Sequence, residues 1–110
     1  MNIDKLAEIL KAKIVNLGEE TELKDGYCGD FLSHVMGKAP ENAVWFTIMN
    51  NVNVAAVAHL TGVGAVVLCD RVKAEPVLIA KCEKEGINLL ETGLDVYNSA
   101  VVYSRINEAN

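Results

Sequence analysis

The chain has 110 residues, 51% hydrophobic and 23% charged, which suits one domain, is too short for two, and needs neither disulfides nor metal to fold. The net charge is −5 and the isoelectric point near 4.9, with ten scattered basic residues, so the electrostatic footprint of a nucleic-acid binder is absent. Cys28, Cys69 and Cys82 are odd in number and widely spaced, with no CxxC; this argues against a disulfide framework and a zinc site and fits a reducing cytosol.

In chain order, Ile3, Leu6, Ala7, Ile9 and Leu10 recur at helical spacing, with Asp4, Lys5, Glu8 and Lys11 opposite them. They predict a short amphipathic helix. Lys13 to Asn16 reads as a strand, Leu17 to Asp25 as an acidic surface loop, and Gly26 to Cys28 as a short strand or turn. Asp30 to Met36 reads as a short helix, with Asp30 placed to cap it and Gly37 to end it. Ala43 to Ile48 is a β-branched and aromatic strand. Val52 to Leu60 is a helix that is apolar nearly all the way round, suited to a sandwiched position or a subunit contact.

Ala65 to Cys69 is an unbroken apolar run, as in a central parallel strand. Pro76 opens a helix through Val77 to Glu85 that stops at Gly86. Ile87 to Glu91 is a further strand, and Asp95 caps a last helix from Val96 to about Ile106. The alternation predicts an α/β fold, a three-layer α/β/α arrangement around a mostly parallel sheet of about five strands. No signal-peptide core is present and no apolar run approaches the ~20 residues of a bilayer span, so a cytoplasmic protein without membrane contact is expected.

Two strand-to-helix junctions carry most of the functional signal. The first offers Gly26, Tyr27, Gly29 and Asp30; the second offers Thr47, Asn50, Asn51 and Asn53. In an open α/β sheet such turns meet at the carboxyl ends of the strands, where ligands bind. Glycines admit a ligand to the backbone, Asp30 accepts from a hydroxyl or base, and the asparagine amides present donors and acceptors to a sugar, base or phosphate. The same residues also suffice for a tight turn, an Asp cap and Asn caps. Asp70-Arg71 follows a strand and faces the same edge, as a ligand contact or a local ion pair.

Cys28 precedes a helix start, a setting that can activate a thiol, but no second Cys lies near it to resolve a disulfide. His34 and His59 have no partner at ligand spacing. Gly62-Val63-Gly64 precedes a strand instead of following one, so it is not a dinucleotide fingerprint, and neither GxxxxGK[ST] nor GxSxG occurs.

At GYCGDFLSHVM, followed by VWFTIMNNVNVAAVAHLTGVGAVVLC, the chain resembles the DRTGG-domain family over nearly its whole length. Members read as a Gly-Gly-Tyr turn, an Asp-Leu-Leu-Ser-like helix start, a Trp-containing strand and a Thr-rich, Asn-containing turn. Gly26-Tyr27, Asp30-Phe-Leu-Ser33, Trp45, Thr47 and Asn53 match those features. The chain departs at Lys24-Asp25, where the naming motif has Thr-Gly, and at Asn51 or Val52, where relatives carry His.

The resemblance implies one α/β/α domain over residues 1–110, similar to the N-terminal domain of HPr kinase/phosphorylase and related to the N-terminal domains of Mur ligases. The kinase's catalytic half has no counterpart here. DRTGG domains beside CBS pairs and phosphotransacetylase look regulatory, and stand-alone versions accompany iron-only hydrogenase systems.

The expectation is therefore a non-catalytic regulatory module that binds a small, nucleotide-like ligand. Gly26, Tyr27 and Asp30 form one wall and Thr47, Asn50, Asn51 and Asn53 the other, with no catalytic set, cofactor or metal. The apolar Val52–Leu60 helix suggests a homo-oligomer, a dimer. The main alternative is a protein–protein adaptor of an iron-only hydrogenase or sensor-kinase system; a minor one is an enzyme or redox accessory using Cys28.

Overall fold

Side chains alternate across a strand, and the strands of this chain use both faces. The computed structural model describes residues 1–109. Its helices are α1 (Ile3–Leu10), α2 (Leu32–Lys38), α3 (Asn53–Thr61), α4 (Pro76–Glu85) and α5 (Val96–Ala109). Its strands are β1 (Lys13–Asn16), β2 (Asp25–Cys28), β3 (Ala43–Thr47), β4 (Ala65–Leu68) and β5 (Leu89–Glu91), in the sheet order β1-β5-β4-β3-β2. Strands β2 to β5 are parallel, and β1 joins β5 antiparallel. The α/β fold and mostly parallel five-stranded sheet expected from the alternation are thus present.

Strands β3, β4 and β5 are buried along their whole length, which accounts for their continuous apolar runs. Trp45, Val66, Leu68 and Leu89 pack on one face against Val35 of α2, Val54 and Val57 of α3, and Leu78 and Cys82 of α4. Val44, Phe46, Ala65, Val67 and Leu90 pack on the other against Ile3, Leu6 and Leu10 of α1 and Tyr103 of α5. From β2 to β5 each crossover moves the chain one strand in the same direction, so α2, α3 and α4 share a face, as a constant crossover hand requires.

The edge formed by the strands' amino ends is stitched by polar bonds. Buried Asn88 donates to Glu19 O at 2.8 Å and Gly64 O at 2.9 Å, and its Oδ1 accepts from Gly18 N at 2.6 Å.

Several local expectations need correction. Asp30 does not cap α2: the N-cap is Phe31, with no side-chain capping bond. Gly37 does not end α2, which continues to Lys38; the left-handed glycine stops are Gly62 (φ 76°) after α3 and Gly86 (φ 71°) after α4. Asp95 does cap α5, accepting from Asn98 N at 2.7 Å. Helix α3 lies between its neighbours and the sheet with Val54, Ala55, Val57 and Ala58 buried. Only Ala56, His59 and Leu60 of its apolar circumference stay exposed beside Asn53, so this helix gives a dimer little ground.

Nothing lies within 4 Å of a Cβ added at Gly37, and its φ is not left-handed. Gly37→Ala should therefore stabilise the fold by about 0.5–1 kcal/mol. Gly86→Ala, in the left-handed region, should destabilise it by about 1–2 kcal/mol. Urea unfolding of the two variants checks both signs.

Candidate functional site

All four parallel strands end at the same edge, so the exits of β2, β3, β4 and β5 lie side by side. Trp45 is wholly buried, and its indole needs an acceptor. It finds one in Gly29, donating from Nε1 to the carbonyl oxygen at 2.8 Å. Two residues on, and on the same face of β3, the fully buried Thr47 hydroxyl donates to Asp30 Oδ1 at 2.7 Å. The same carboxylate oxygen accepts from Ile48 N at 3.0 Å, and Thr47 Oγ1 accepts from Met49 N at 3.2 Å. The first two exits are therefore one bonded unit. Asp30 is itself exposed, and among the described residues its Oδ2 accepts from no protein donor.

The asparagines divide their work. Asn50 donates from Nδ2 to Lys73 O at 2.7 Å, and its carbonyl accepts from Glu75 N at 3.2 Å, so it fastens the β4 exit to the β3 exit. Asn51 Oδ1 accepts from Asn53 N at 2.9 Å and so serves the start of α3. The Asn53 side chain is exposed.

The first wall parts company. Asp30 lies at the edge beside Thr47, whereas Gly26 sits inside β2, where an added Cβ would stand 3.4 Å from Tyr103 Cε2 on the α5 side. The Tyr27 ring points the other way, beside Gly29 and against the α2 side of the core. Gly26 and Tyr27 line a separate groove of about 310 Å³ between β2 and α5. In that groove Tyr103 Oη and Asn107 Nδ2 donate to Asp25 O and Lys24 O and so cover part of the strand edge.

The β4 exit holds residues that the two-wall reading left out. Asp70 (φ 57°) and Arg71 (φ 63°) are both left-handed, a conformation that costs non-glycine residues on the order of 1–3 kcal/mol each. Their amides bond to Leu94 O at 2.8 Å and Thr92 O at 3.0 Å, which fixes the turn. Nearly buried Glu91 takes Ala74 N on Oε2 at 2.7 Å and the Lys73 ammonium beside Oε1 at 3.5 Å. Arg71 does not pair with Asp70, nor, among the described residues, with any other carboxylate within ion-pair distance. Apolar side chains also surface after these strands: Phe31 past β2 and Tyr97 past β5 are each 75% exposed, and Val77 at the start of α4 is 62% exposed. Composition alone does not flag these positions; being one or two residues past a strand or at a helix start does.

Among the described residues no cluster of three or more His, Cys, Asp or Glu is placed to hold a metal ion. No helix is long and apolar enough to cross a membrane. Cys28 is exposed, yet packing around its sulfur, and then the Asp30 carboxylate, push its thiol above the usual cysteine range. Burial pushes Cys69 and Cys82 up to about 11. A thiol raised in this way is not the activated thiolate that a redox role would use.

A raised pKa means less thiolate near neutrality. Alkylation of Cys28 should run slower than that of a free cysteine at pH 7 and accelerate as pH rises beyond the ordinary thiol range, while Cys69 and Cys82 react only on unfolding; mass-mapped iodoacetamide kinetics check this. Thr47→Val should cost about 1–3 kcal/mol in denaturant unfolding, because Met49 N loses its acceptor and Asp30 its buried donor.

No family model and no curated protein matches the sequence. Among solved structures the chain is similar to the CBS and DRTGG domains of the regulatory region of Clostridium perfringens pyrophosphatase, determined in complex with the activator diadenosine tetraphosphate. The TM-score is 0.73 at 13% identity, over 91% of this chain and 44% of that one. The chain thus spans less than half of that neighbour's length. At such identity the likeness is one of fold, and the fold is of the kind found in that regulatory region.

Proposed function

We propose that the protein is a non-catalytic regulatory module of the DRTGG type, a single domain that binds a small nucleotide-like ligand at the carboxyl edge of its sheet. The observation that carries this reading is the bonded junction of two strand exits at Asp30, which leaves Oδ2 free at the surface. That oxygen suits a sugar hydroxyl. The Asn53 side chain and the exposed Phe31 ring add an amide and a stacking surface at the same edge. The neighbouring regulatory region was determined with a dinucleotide activator, which supports this ligand class. Among the described residues no nucleophile–base pair accompanies the site, and binding without turnover is the reading.

One observation favours a second reading, a protein adaptor. Phe31, Ile48, Val77 and Tyr97 are large apolar side chains exposed near this edge, and another protein surface would cover them.

A thermal-shift panel of adenosine, AMP, ADP, ATP and diadenosine tetraphosphate separates the two. A ligand at a hundred times its Kd stabilises by about 2.7 kcal/mol, a melting shift on the order of 10 °C for a chain of this size. The nucleotide should be recovered unchanged. Asp30→Asn keeps an acceptor for Thr47 and Ile48 but replaces Oδ2 with a donor, so it should abolish most of the shift. A flat response from folded wild-type protein across the panel would overturn the ligand reading in favour of the adaptor.

A further inference from the structure

We infer that the phosphate of the ligand is held at the β4 exit by Arg71, with Lys73 beside it, so that the ligand is a phosphorylated nucleoside lying across the ends of β2, β3 and β4. This rests on the nucleotide reading above and adds the ligand's orientation and its charged half.

Arg71 is exposed and, among the described residues, has no carboxylate partner. Its side chain runs past Gly93 after β5, where an added Cβ would stand 3.6 Å from Nε, so the residue it lies against carries no side chain. A guanidinium offers a planar fork of donors that matches phosphate oxygens. Lys73 is partly committed to Glu91 at 3.5 Å, so it adds charge to the subsite while Arg71 makes the directed contact.

The turn that presents Arg71 is rigid. Its amides are bonded to Thr92 and Leu94. Asn50 clamps the following residues to the β3 exit, and Asp30 clamps the β2 exit to the same segment. Three strand exits therefore form one preorganised surface, and a ligand loses little by ordering it. Strands β2 and β4 are separated by β3 alone, which sets their ends roughly 10 Å apart at the usual interstrand spacing, and Arg71 extends the surface beyond β4 toward Gly93 after β5. A nucleoside diphosphate bridges that gap with a ribose hydroxyl on Asp30 and its phosphates toward Arg71; adenosine reaches only the Asp30 end. Asp70, exposed and adjoining Arg71 in the turn, opposes an anion there, so removing its charge should tighten phosphate binding.

The test is calorimetric titration of the full chain with ADP and with adenosine, in EDTA, for wild type, Arg71→Ala and Asp70→Asn. Expected are tighter binding of ADP than of adenosine, an ADP affinity that falls with salt while that of adenosine does not, and a loss of about tenfold or more for ADP in Arg71→Ala with adenosine unchanged. Asp70→Asn should bind ADP more tightly than wild type. Equal losses for ADP and adenosine in Arg71→Ala, or ADP binding no tighter than adenosine and insensitive to salt, would overturn the phosphate subsite and leave the nucleoside site standing. Failure of the folded wild type to bind either probe overturns both. The salt series uses wild type alone, so a misfolded variant does not shelter the inference.

Discussion

The hydrogen bond from the buried Thr47 hydroxyl to Asp30 is the contact on which the proposed surface depends. A hydroxyl with no water around it must find a partner, and this one finds an ionised acceptor whose other oxygen remains at the surface. The bond is charge-assisted and short, and the carboxylate keeps part of its hydration, so little desolvation offsets the gain. Trp45 acts from the same face of β3, one side-chain period earlier, by holding Gly29 O. Two polar atoms of one buried strand thereby position the turn that leaves the edge strand β2. Strand β2 is only four residues long and has no strand on its outer side, so without these bonds the turn would be the least determined part of the sheet.

The topology explains why the surface is open instead of a deep crevice. A doubly wound sheet makes a cleft where its strand order reverses and crossover helices diverge to opposite faces. Here the parallel strands advance from β2 to β5 without reversing, and their crossover helices share one face. Helices α1 and α5 cover the other. No divergence point exists within the parallel strands, and any selectivity must come from loop residues standing on the strand ends. That places the weight on fixed turns, and the bonding at Asp30, Asn50 and the Asp70–Arg71 turn supplies such fixing.

The sequence made the architecture readable where one physical demand dominates. The runs VWFTI and AVVLC leave a buried strand little alternative, Pro76 and Gly86 mark both ends of α4, and Asp95 caps α5 as its position suggests. The exits of β2 and β3 were equally legible as neighbours, since a parallel alternation sends them to one edge. What local reasoning misjudged was the use of polar groups that local structure and tertiary partners both want. Asp30 stands at a plausible cap position, but a buried hydroxyl 17 residues away takes its carboxylate. Asn50 and Asn51, which look like one recognition cluster, are a tether and a turn. Gly26 and Tyr27, adjacent in sequence, point to opposite faces because they lie in a strand, which no motif reading of a glycine-rich turn reveals.

A net charge of −5 disfavours an anion at long range, but distant charges matter little beyond the ~8–10 Å screening length of physiological salt. What counts is the local inventory. At this edge Asp95 is occupied by two donors of Asn98, Glu91 by Ala74 N and Lys73, and one oxygen of Asp30 by Thr47 and Ile48. Each of these carboxylates is stabilised by partners that also dampen its field. Among the described residues, Asp70 and Arg71, adjacent in a turn whose backbone is held in place, and Glu75 just before α4 remain as the unpaired charges that follow β4. The local field therefore combines one guanidinium with two carboxylates. A phosphate is favoured to the extent that the guanidinium fork makes directed bonds, which the carboxylates of Asp70 and Glu75, in water, oppose without directed contacts of their own.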